Sequence, residues 1–117
     1  MSGIAFWVVL AAAVIQLGFA FAETFRWVEK VAPLAKLPPE VARATVGLGK
    51  NFAIYNLLIA LGLIWAAFYG AANGAPMAYY LGAFMVVAGV VAGPTASWII
   101  TMAQGGAGLL VLLSLCI

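Results

Sequence analysis

Gln16, Asn56 and Gln104 are amides set inside long apolar runs, each a similar distance from the nearest polar boundary. Gln16 lies seven residues before Glu23, Asn56 six after Lys50, and Gln104 seven after Ser97. At about 1.5 Å per helical residue all three sit ~9–10 Å below one boundary, on three different segments. Amides carry donors and acceptors together, so three at one depth are suited to holding a small ligand by hydrogen bonds. Glu23, Arg26, Asn51, Tyr55, Thr95 and Thr101 extend the polar layer toward the boundary. Gln16, Ala20, Glu23 and Trp27 follow spacings of four, three and four, which is one helical stripe, and Asn51 and Tyr55 are four apart. The pattern predicts a ligand-binding constellation of Gln16, Glu23, Trp27, Asn51, Tyr55, Asn56 and Gln104. Glu23 would stand at the mouth, Trp27 and Tyr55 would form walls, and the amides the floor. The competing reading is structural: amides bonding across helices act as glue in membrane proteins, and Glu23 forms a simple interfacial salt bridge with Arg26, Lys30 or Lys50.

Catalysis and metal chemistry find little support. There is no histidine, and the single Cys116 stands beside the C-terminus, so no catalytic residue, metal site or cofactor is expected. General acid–base work would rest on Glu23 or Tyr55, neither of which has an evident nucleophile partner. Arg43 and Asn51 precede the second apolar run, but the dense arginine and glutamate pattern of the four-span glutathione and eicosanoid enzymes is missing around them.

The elements that must position these residues are membrane spans. The 117 residues are 68% hydrophobic and 7% charged, outside the range of soluble domains. All eight charged side chains lie between Glu23 and Lys50. Four apolar runs near 4–28, 51–69, 76–92 and 98–115 are long enough to cross a bilayer, and residues 29–50 form the charged loop. Ala20-Phe21-Ala22 ahead of Glu23 has the small-residue pattern of a signal-peptide cleavage site. However, no positive residue precedes the run, which is also longer than a usual signal core, so a retained span is expected. Pro33 and Pro38-Pro39 interrupt the loop, and Glu40 to Lys50 reads as an amphipathic lead into the second span. Asn73-Gly74 and Gly93-Pro94-Thr95 signal short turns, with Ser97 capping the last helix.

Short links force antiparallel neighbours, so the expected fold is all-α: an integral membrane four-helix bundle, up-down-up-down, forming a single transmembrane domain. The net charge of +2 in one loop is too small for a nucleic-acid footprint, but it orients the chain with that loop cytoplasmic and both termini outside. Gly82, Gly89 and Gly93 share one face of the third span and predict close helix contact, as do Gly105, Gly106 and Gly108 in the fourth. Trp7, Trp27, Trp65 and Trp98 fall near span ends, where aromatic belts form.

The residues also carry a resemblance. Glu23-x-Phe25-x-Trp27, Asn51-x-x-x-Tyr55-Asn56 with Gly62-Leu63-Ile64-Trp65, the stretch from Ala88-Gly89 to Thr95, and Ala103-Gln104-Gly105 occur in this order along nearly the whole chain. The ordered set resembles the small membrane family called domain of unknown function 1304. A Glu-His pair usual in that family's first span is Ile15-Gln16 here, and glycines usual around the second-span motif are Ala53 and Leu57. The resemblance implies a four-span protein of the bacterial inner membrane and supplies no activity. Two functions are therefore expected in competition. One is binding or transport of a small or amphiphilic molecule in the polar layer. The other is a non-catalytic accessory or assembly subunit docking through its glycine faces. Membrane lipids, and either further copies of the chain or a partner membrane subunit, are the expected partners.

Overall fold

In a bilayer every backbone polar group must be paired within the protein, and a chain this apolar satisfies that only as helices. The computed structural model describes residues 1–117 and contains helices and no strand. Helix α1 spans Gly3–Phe25, capped by the Ser2 hydroxyl, which accepts from the Ala5 N–H. After a π-helical turn at Trp27–Val31, the loop contains α2 (Ala32–Leu34) and α3 (Pro39–Ala44). The second span is α4 (Val46–Phe68) and the third is α5 (Ala71–Thr95). The fourth, Trp98–Leu115, is composite: α6 (Trp98–Ile100), a π-helical turn at Thr101–Gly105, and α7 (Gly106–Leu115).

These four helices are long and apolar enough to cross a membrane. α1 packs mainly on α4, and α5 mainly on the fourth span, while α4 meets α5 and α1 meets α7 to close the ring. The result is the antiparallel four-helix bundle the sequence predicts. Met1, Gly70 and the C-terminus gather at one end: the Met1 ammonium donates to the Ala71 carbonyl, and the Tyr79 hydroxyl donates to the Leu115 carbonyl. The charged loop and the Ala96-Ser97 turn lie at the other. The molecule is 48 Å long, so a hydrocarbon layer of about 30 Å leaves room for polar caps at its ends.

One fully buried large side chain from each span meets in the core: Val9, Leu63, Met85 and Val111. Around them the filling is mostly alanine, including Ala12, Ala13, Ala60, Ala66 and Ala78. Lipid tails are as apolar as leucine, so association here depends on close van der Waals packing, which small residues permit. The glycine face of α5 lies within the bundle, against the fourth span. A Cβ at Gly89 would fall 2.5 Å from the Gly105 nitrogen, and one at Gly108 would fall 2.6 Å from the Gly82 carbonyl oxygen. The Trp98 ring lies over Gly93. Gly106 differs from its neighbours, because a Cβ there would meet nothing within 4 Å.

Two expected turns are placed differently. Asn73-Gly74 lies inside α5, and the chain reverses at Tyr69-Gly70, where Gly70 adopts φ +96°. Gly74 is there for contact, since an added Cβ would run into the Ala66 carbonyl. Pro94 lies two residues before Ala96, the C-cap of α5, so the reversal comes at Ala96-Ser97. A proline so close to the end disturbs only the final turn. Ser97 caps as expected, its hydroxyl accepting from the Ile99 N–H at 3.2 Å. The first helix ends at Phe25, with Arg26 as its C-cap, rather than at Val28, and the second begins at Val46, five residues before Asn51.

Candidate functional site

The structure splits the expected amide layer into two hydrogen-bonded pairs at different depths, because Asn56 lies level with Glu23, about two helical turns nearer the loop than Gln16 and Gln104. Gln16 on α1 donates through Nε2 to Gln104 Oε1 at 2.7 Å. Gln16 is wholly buried and Gln104 only 8% exposed, so the bond joins the first and last spans inside the bundle. The π-helical turn at Thr101–Gly105 carries Gln104, and such turns insert a residue and re-aim the side chains around them. That turn is held to α5 by Thr101, whose hydroxyl donates to the Gly89 carbonyl at 2.6 Å. The absence of a side chain at Gly89 makes this approach possible.

Two helical turns along the same face of α1, the half-buried Glu23 accepts from Asn56 Nδ2 on α4 at 2.5 Å. This replaces the expected ion pair of Glu23 with Arg26, Lys30 or Lys50. Arg26 lies beyond the end of α1 and pairs instead with Glu29 at 2.7 Å. The polar seam therefore runs along α1, with Gln16 tied to the fourth span and Glu23 tied to α4.

One atom in the seam lacks a partner. Gln16 Oε1 is the chain's one buried side-chain polar atom with no hydrogen bond. Reversing both amides would exchange the orphan acceptor for an orphan donor and leave the deficit in place. An unmet buried polar group costs about 1–3 kcal/mol, and hydrocarbon offers no substitute.

The remaining expected residues do not join this seam. Trp27 is buried, but in a small second core with Ala32 and Ala42 under the loop, its ring resting on Gly49. Its Nε1 donates to the Thr45 hydroxyl at 3.1 Å. It thus anchors the loop rather than walling the bundle or joining an aromatic belt, while Trp7, Trp65 and Trp98 face outward. Asn51 and Tyr55 are exposed on the outside of α4, where Asn51 Nδ2 donates to the Tyr55 hydroxyl at 3.5 Å. Two apolar hollows lie elsewhere on the surface. One is lined by Gly62, Trp65, Pro76, Met77, Tyr80 and Leu81, and another runs along α5 from Tyr80 to Ala88.

The unpaired oxygen of Gln16 was not legible in the sequence, because it depends on which way the neighbouring helix turns its side chains. A family model described as "Protein of unknown function (DUF1304)" matches residues 10–116. The chain belongs to the DUF1304 family. No curated protein and no solved structure matches it. The matched region of this DUF1304 protein contains Gln16, Glu23, Asn56 and Gln104, and so the whole polar seam. Family and fold together make it a multi-pass membrane protein.

Proposed function

We propose that this DUF1304 protein binds or transports a small amphiphilic molecule through the polar seam of α1, with a hydroxyl-bearing head taken up at the Gln16–Gln104 pair. The observation that carries the reading is the orphan oxygen of Gln16. A hydroxyl both donates and accepts, so it satisfies this atom in either orientation of the amides. An apolar tail suits the bundle core around the pair, where Ala12, Ala13 and Ala107 are buried. Glu23 and Asn56 form a second polar station toward the loop end. Gln16 is wholly enclosed, so entry requires the fourth span to shift at its π-helical turn. The membrane is the bacterial inner membrane in this reading, with the loop cytoplasmic.

The accessory-subunit alternative has one supporting observation: both amide pairs bond directly across helices, as structural glue does. It loses its expected docking surface, because Gly82, Gly89 and Gly93 are covered inside the bundle.

A photoreactive long-chain alcohol tests the choice. In the purified full chain it should label the segments around Gln16 and Gln104, and Gln16→Leu should abolish that labelling, while the matching photoreactive alkane labels only outward-facing residues. Identical labelling by alcohol and alkane, unchanged in Gln16→Leu, would refute the binding reading.

A further inference from the structure

The loop between the first and second spans carries a cationic surface that the polar seam does not use. The chain's one ion pair is Arg26–Glu29. Glu23 is engaged by Asn56, which leaves Glu40 as the only other carboxylate side chain in the loop. Lys30, Lys36 and Arg43 on the loop, and Lys50 in the first turns of α4 beside it, are all exposed and without an ion-pair partner.

Lys30, Lys36 and Arg43 stand on a folded platform. Trp27, Ala32 and Ala42 form the small core beneath them, with Val28, Val31, Leu37 and Val46 packed around it. Lys36 is the one non-glycine residue with positive φ, at 61°. Its N–H donates to the Pro33 carbonyl at 3.1 Å and the Leu37 N–H to the Ala32 carbonyl at 3.0 Å, closing the turn after α2. Such a position favours glycine. Lysine occupies it against its backbone preference, which places a cation at the turn. Leu34 and Val41 on the same loop are exposed, 43% and 38%, as apolar groups that can seat at the level of lipid headgroups.

We propose that this loop binds anionic phospholipid headgroups, with Lys30, Lys36, Arg43 and Lys50 supplying the charge and Leu34 and Val41 the apolar contact. Charge complementarity selects this partner. The loop closes one end of a membrane-spanning bundle, four unpaired cations face a single free carboxylate, and the surface adjoining that end is a bilayer face. A juxtamembrane cation adds roughly fivefold to association with an anionic surface at moderate ionic strength.

The test is native mass spectrometry of the full chain from mixed micelles containing equal phosphatidylglycerol and phosphatidylcholine. The wild type should retain phosphatidylglycerol at least tenfold in excess, with the excess shrinking as salt rises. Replacing all four cations with glutamine should erase it. Lys36→Gly provides the control for folding: it relieves the backbone strain, so thermal stability should hold or rise, while the preference falls about fivefold. Equal retention of the two lipids by the wild type would overturn the proposal. So would a full preference in the quadruple variant, or displacement of the lipid by equimolar inorganic phosphate.

Discussion

Gly89→Ala adds one methyl group at the tightest backbone contact between α5 and the fourth span. The new Cβ would lie 2.5 Å from the Gly105 nitrogen and 2.6 Å from its Cα. Both are backbone atoms, so no side-chain rotation relieves the overlap. Ordinary contact begins near 3.4 Å, so the two helices must separate by about 1 Å. The Thr101 hydroxyl bond to the Gly89 carbonyl, 2.6 Å long, then stretches to the limit of a hydrogen bond. Overpacking of this kind typically costs about 1–3 kcal/mol. An interhelical hydrogen bond in a membrane protein is worth about 0.6 kcal/mol and at most ~1.7. The expected loss is therefore about 2–4 kcal/mol, at least a 30-fold shift in the folding equilibrium. The assay is reversible unfolding of the full chain in mixed micelles with rising dodecyl sulfate, followed by circular dichroism. Gly106→Ala is the matched control, because the same methyl group there meets nothing within 4 Å. If the two variants unfold at the same detergent fraction, the glycine contact does not hold these helices together.

In the same titration, Glu23→Gln should be nearly neutral, because its amide oxygen still accepts from Asn56, whereas Glu23→Leu should lose about 1–3 kcal/mol by leaving that donor unpaired. Equal stability of the two variants would remove the pair from the account. Trp27→Ala should empty the core beneath the loop and speed proteolysis between residues 28 and 44, with the spans' circular dichroism unchanged; cleavage at the wild-type rate would show that the loop does not depend on Trp27. For the proposed orientation, a reporter fused after Ile117 should be active only in the periplasm, and cytoplasmic fluorescence there would invert the topology.

Membrane residence and four antiparallel helices followed from the amino-acid sequence alone. The reason is that a bilayer reduces folding to one question, how to pair every backbone group without water, and an apolar run of sufficient length has only the helix as an answer. Depth was legible for two of the three amides: it advances linearly along a helix, so counting residues placed Gln16 and Gln104 at one level, whereas Asn56 lies level with Glu23, because α4 begins at Val46 and the count from Lys50 does not start at the boundary. Local turn chemistry was a poorer guide. Asn73-Gly74 reads as a turn in water, yet both residues lie in α5, where Gly74 fits beneath the Ala66 carbonyl and Gly70 makes the reversal. Azimuth, the direction each side chain faces around its helix, was decided only by tertiary packing. Glu23 took Asn56 rather than Arg26, Tyr55 turned outward, and Trp27 folded under the loop. One residue turns a helix face by about 100°, so the π-helical turn at Thr101–Gly105 re-aims Gln104 in a way no residue count anticipates. The unmatched oxygen of Gln16 is the product of that turn and of the glycine contact beside it, and it exists only when both spans are packed.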